Sequence, residues 1–117
     1  MEDQRLEGYL SRDLLVEVTV KRFEYTFEAM WKTIKEFLRT RGIECFSPKS
    51  CFSALLKEGI ISYDLEAVLV RMVMVRNLLV HVYDEAQAFE LFEEIRKGEF
   101  LRAFCEIREA LGEVEGV

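Results

Sequence analysis

The chain has 117 residues, which suits one domain around one core, and half of them are hydrophobic against about a third charged, a globular balance. A net charge of −6 argues against a broad nonspecific nucleic-acid surface, because phosphate binding needs clustered Lys and Arg. Any RNA contact has to be local, and the acidic balance equally suits a basic protein partner.

The opening Met1-Glu2-Asp3-Gln4 is acidic and polar, unlike a secretory leader. Six glycines and one proline leave little punctuation, which favours long helices. Ser11 is a candidate N-cap with Asp13 in the first turn, and a helical pattern runs from there to Arg41. Val20, Phe23, Phe27, Met30, Ile34 and Phe37 form its apolar stripe, which Trp31 and Leu38 widen. The opposite side is charged, with Glu28 and Lys32 spaced for a weak surface pair. Gly42 is the stop.

Ser47-Pro48 predicts a helix start, a capping side chain followed by proline at the first helical position. That helix runs to about Glu58, where Gly59 ends it. Ser62 with Asp64 starts the next one, which is expected to continue to about Tyr83. Asp84 with Gln87 reads as a capping box for a helix carrying Phe89, Leu91, Phe92 and Ile95, which ends before Gly98. A last helix from Glu99 to about Leu111 buries Phe100, Phe104, Ile107 and Leu111, and residues 112–117 fray. The valines between Val68 and Val82 favour strand by propensity. The run is nevertheless too long for an ordinary strand, lacks alternation and has no partner, so helix prevails. The expected fold is all-α, an antiparallel up-and-down four-helix bundle with an extra short helix.

The stretch Ala67 to Tyr83 is the most apolar in the chain, yet Arg71, Arg76 and His81 interrupt it, so it is too short and too charged to span a bilayer. A helix apolar on nearly every side has to bury nearly every side. One face can pack on the chain's own helices and the other calls for a second copy, which predicts a homodimer. Cys45, Cys51 and Cys105 are odd in number and lack metal-ligand spacing, and with one histidine a zinc site is not expected. All three read as small hydrophobic side chains in a reducing cytoplasm.

Polar groups at the end of so apolar a helix are costly unless paired or used. Arg76 and His81 lie about 140° apart around a helix axis, whereas Asn77 shares a face with His81, and Arg76 shares one with Tyr83. A histidine can shuttle a proton without metal, and an arginine can stabilise charge developing on phosphate. Together they suit RNA cleavage by attack of the 2′-hydroxyl on the adjacent phosphate. Taken alone, a histidine near a helix end is more often structural, and a tyrosine there is a core-edge aromatic.

The run Arg76-Asn77, His81 and Tyr83, continued by Asp84-Glu85, resembles the signature of the HEPN superfamily. Upstream, Arg22 to Ile34 resembles the long helix of the nucleotidyltransferase substrate-binding proteins, and Ser47-Pro48-Lys49-Ser50 and Glu58-Gly59-Ile60-Ile61 fall where that family has them. The resemblance covers about residues 14 to 108. It implies a dimeric helical bundle partnered by a small nucleotidyltransferase, the two forming a toxin–antitoxin pair. It further implies a ribonuclease that uses neither metal nor cofactor, with Arg76 and His81 as its active site and Asn77 in support. The partner would silence it by adenylylating Tyr83. An older idea in the family makes this subunit a non-catalytic substrate-binding module. Two departures stand out. Only Met1 to Leu10 precede the long helix, so the first helix is short or the chain starts further upstream. Val82 also occupies a position where small polar residues are familiar.

Overall fold

The computed structural model describes the backbone of residues 2–115 except residue 83, and the side chains of residues 11–112 with the same exception. Helix α1 spans Glu2–Arg39, 38 residues, or about 57 Å at the rise of an α-helix. It begins well before the expected start, running through Gly8 and Ser11 without a break. One mid-helix glycine costs only about 1 kcal/mol, and residues 2–10 contain no proline, so nothing there stops the helix. The segment expected to form a short separate first helix is the leading end of α1 instead.

Four further helices follow: α2 (Pro48–Lys57), α3 (Glu66–Leu79), α4 (Glu85–Arg96) and α5 (Glu99–Glu115). A 3₁₀ turn, Tyr63–Leu65, precedes α3. The fold is all-α, with no strand among the described residues. Three glycines, Gly42, Gly59 and Gly98, take positive φ in the turns between helices, a conformation that costs other residues more. Gly112 does not, and α5 passes through it to Glu115, four residues beyond the expected end.

Ser47 caps α2 as its sequence indicates. Its hydroxyl accepts from the Ser50 amide, the Ser50 side chain accepts from the Ser47 amide, and Pro48 takes the first position. Ser62 caps the 3₁₀ turn rather than an α-helix, accepting from the Asp64 amide at 3.2 Å. The Asp84 carboxylate accepts from the Gln87 amide at 2.7 Å and so begins α4.

The stripe on α1 buries Phe23, Phe27, Ile34, Phe37 and Leu38. Against it pack Phe52 and Leu55 of α2, Leu69, Met72 and Val75 of α3, Leu91 of α4, and Phe100, Ala103 and Ile107 of α5. Aromatic rings knit the centre, with Phe27 edge-on to Phe52 at 5.9 Å and Phe23 tilted on Phe100 at 5.5 Å. Phe104 is only half-buried and Phe89 stays exposed. α4 lies along α1, while α3 sits between α2 and α5.

Cys45 and Cys51 depart from the expectation of three free thiols. They form a disulfide, with Cα atoms 5.2 Å apart, that ties the segment after α1 to the first turns of α2. Both are buried, so each also fills core volume, and Cys105 is free and exposed. A thiol titration of unfolded, unreduced protein is therefore expected to find one reactive thiol, rising to three after reduction. Three thiols before reduction would show that the bridge does not form.

Candidate functional site

Helix α3 ends at Leu79, earlier than its apolar run indicates. Val80 and His81 close a turn, with the His81 amide donating to the Leu78 carbonyl at 2.9 Å. The chain has to leave the helix here because Asp84, as the N-cap of α4, is extended. His81 is thus an exposed turn residue beyond α3, and not part of its last helical turn. Val82 points the other way. It is half-buried against the core and lines an apolar wedge with Val16 and Val20 of α1, Leu79 and Phe89. Its apolar side chain fastens the α3–α4 turn to α1, which accounts for a valine at this position.

Arg76 leaves α3 towards α1. Its Nη2 donates to Glu28 Oε1 at 2.6 Å, and both side chains remain about one-third exposed (32% and 35%). The guanidinium carbon lies 5.6 Å from the centroid of the Phe27 ring. Trp31 Nε1 donates to the second carboxylate oxygen of Glu28 at 3.0 Å. Partial burial pushes the Glu28 carboxyl up, but the Trp31 and Arg76 hydrogen bonds and the charges of Arg76 and Lys32 outweigh it, leaving its pKa below the ordinary value. The weak Glu28–Lys32 surface pair expected from spacing gives way to this arrangement.

Asn77 faces solvent at the end of a groove of about 540 Å³ between α2, the 3₁₀ turn and α3, beside Phe52, Tyr63, Val70 and Met74. Among the described residues no hydrogen bond or ion pair joins Arg76 to His81. Arg76 and its carboxylate thus form one group at the α1–α3 seam. Asn77 and His81 both lie on exposed positions, on or just beyond α3. Tyr83, expected to carry the modification, lies outside the described residues. No three His, Cys, Asp or Glu side chains gather into a possible metal site among the described residues. No described helix is long and apolar enough to cross a membrane.

Glu28 and Trp31 were not found from the sequence as members of this site. A contact across 48 positions leaves no local pattern, and only the i,i+3 spacing of Glu28 and Trp31 was there to be seen.

A family model described as nucleotidyltransferase substrate binding protein like matches residues 2–113, and the chain belongs to that family. No curated protein and no solved structure matches it.

The Glu28 pair has a definite pH signature. Its folded pKa is lower than the unfolded one, so the stabilisation is present above the unfolded value and is lost as pH falls through the folded value. Glu28→Gln is expected to melt below wild type at neutral pH, and the gap is expected to narrow as the pH falls below the ordinary glutamate value of about 4.3. A gap of the same size across that range in a thermal melting series would rule out a contribution from the ionised carboxylate.

Proposed function

We propose that this chain is a single HEPN-like helical domain, the ribonuclease component of a toxin–antitoxin pair whose other member is a small nucleotidyltransferase. The observation that carries the reading is an arginine at the rim of the α1–α3 seam, one-third exposed and only partly committed to its carboxylate, upstream of a turn that exposes a histidine. In the proposed reaction the RNA 2′-hydroxyl attacks the adjacent phosphorus and the bond to the 5′-oxygen breaks. A 2′,3′-cyclic phosphate and a 5′-hydroxyl result. His81 acts as acid or base, Arg76 balances charge on the phosphoryl oxygens, and Asn77 supports the substrate. Neither metal nor cofactor enters.

The active form is a homodimer. Val70 and Met74 are about half exposed on α3, and Leu78 follows them on the same side, leading to His81 (52%, 49% and 36% for the three). In the free chain this face is left in water, which apolar surface of such extent favours covering. A second copy placed there would cover this face and bring the two α3–α4 turns, each with its exposed histidine, towards one another.

Silencing follows if the Tyr83 hydroxyl attacks the α-phosphorus of ATP on the transferase, releasing pyrophosphate and leaving AMP on the tyrosine. The added anion would occupy the phosphate site and repel RNA. Because the step uses ATP, the pair is assigned to the cytoplasm. In that compartment the Cys45–Cys51 bridge belongs to a cell that tolerates intracellular disulfides, or alternates with the dithiol.

A second reading, a docking subunit without chemistry, draws on the groove between α2 and α3, whose rim exposes Tyr63, Val70 and Met74 to a partner. The two readings separate in a cleavage assay on mixed RNA in EDTA. The unmodified protein is expected to cleave, and His81→Ala to lose roughly 10²- to 10⁴-fold while remaining folded. Equal rates for the two would remove His81 from the chemistry, and an inactive wild type with bare Tyr83 would leave the docking reading. Co-expression with the transferase is expected to add AMP-sized increments to the intact mass. Their survival in Tyr83→Phe would place the modification on another residue.

A further inference from the structure

Two arginines leave α3, and they are held in different ways. Arg71 grips Glu94 of α4 with both Nε and Nη2, at 2.5 and 2.7 Å, the two-pronged fork that uses up one edge of the guanidinium. Arg76 gives Glu28 a single N–H from Nη2. Among the described residues nothing accepts from its Nε or Nη1, and the side chain is about one-third exposed, so donors remain for a ligand that reaches the seam.

We infer that Glu28 is the positioning residue of the proposed ribonuclease site: it holds Arg76 by one prong, over the Phe27 ring, so that the remaining guanidinium edge meets a phosphodiester of RNA. This rests on the reading of Arg76 as the phosphate-binding arginine. Three surfaces define the guanidinium's place. Phe27, fully buried, provides a flat floor that cannot shift without opening the core. The Glu28 carboxylate fixes rotation about the long arginine stem, which otherwise carries much rotamer freedom. Solvent is the third side. Glu28 is itself held, because Trp31 Nε1 occupies the oxygen that Arg76 does not use. The chain Trp31 to Glu28 to Arg76 therefore runs from a half-buried indole to a donor edge at the surface.

Such an arrangement acts on the transition state more than on binding. An arginine free to swing would still attract a phosphate but would meet the developing charge less often in the right pose. Glu28 cannot replace His81 as the proton carrier, since its two oxygens are already engaged and its pKa is lowered.

The test compares wild type, Glu28→Gln, Glu28→Asp, Arg76→Ala and Glu28→Gln/Arg76→Ala, all checked for folding by circular dichroism. The substrate is a mixed ribo-oligonucleotide pool in EDTA. Glu28→Gln is expected to lose about 10²-fold in kcat with KM unchanged or lower. Glu28→Asp, which keeps the charge, is expected to recover part of the loss, and the double variant to be no slower than Arg76→Ala. A nuclear magnetic resonance readout accompanies the kinetics. The Arg76 Nε–Hε signal, assigned by its disappearance in Arg76→Ala, should move in Glu28→Gln whether or not RNA is cleaved.

If wild type cleaves and folded Glu28→Gln matches it, the positioning role is overturned while the ribonuclease reading stands. The role is equally overturned if Glu28→Gln cleaves faster, which would make the carboxylate a brake. If wild type does not cleave at all, the ribonuclease reading fails and the positioning role fails with it, even where the resonance shows Arg76 held by Glu28.

Discussion

The rotation of α3 about its own axis is the constraint on which the rest of this structure depends. Its apolar residues spread almost all the way round, with Leu69, Met72 and Val75 on one side and Val70, Met74 and Leu78 on the other. Burial alone therefore does not choose which side goes inside. Two charged tethers do. Arg71 reaches α4 through Glu94, and Arg76, about 140° further round, reaches α1 through Glu28. Pairs this exposed add about 1 kcal/mol or less to stability. A rotation that drove either arginine into the core without its partner would cost several times that. Their effect is to exclude the wrong packings of a helix that hydrophobicity leaves undecided, and in doing so they fix which face of α3 leads to His81.

What the sequence disclosed follows from how far each signal reaches along the chain. Ser47, Pro48 and Asp84 act on amides a few positions away, and the starts of α2 and α4 could be read from them. The core stripe of α1 obeyed its period of three and four. Ser11 misled because a capping side chain is only an option. With helix-compatible residues on both sides, the helix continued through it. The end of α3 was missed for the opposite reason. Val80 and Val82 extend the apolar run, but the extended backbone at Asp84 and the turn before it terminate the helix.

The candidate site divides along the same line. Arg76, Asn77 and His81 could be named as candidates because a short motif holds them together in sequence. Glu28, Trp31 and the Phe27 floor come from another helix, and no pattern within 48 residues points to them. The cysteines show the limit of counting. Three of them permit three pairings or none, and only the fold brings Cys45 within bonding distance of Cys51.

The length of α1 has a consequence for handling the protein in solution. The molecule measures 60 × 28 × 23 Å, a rod rather than a sphere for a mass of 13.8 kDa. Its frictional drag exceeds that of a compact particle of equal mass, and it tumbles more slowly end over end than about its long axis. A single chain will elute early from a gel-filtration column calibrated with spherical standards and can pass for two. The number of chains in the particle has to be read from a quantity that ignores shape, such as scattered light intensity or sedimentation at equilibrium.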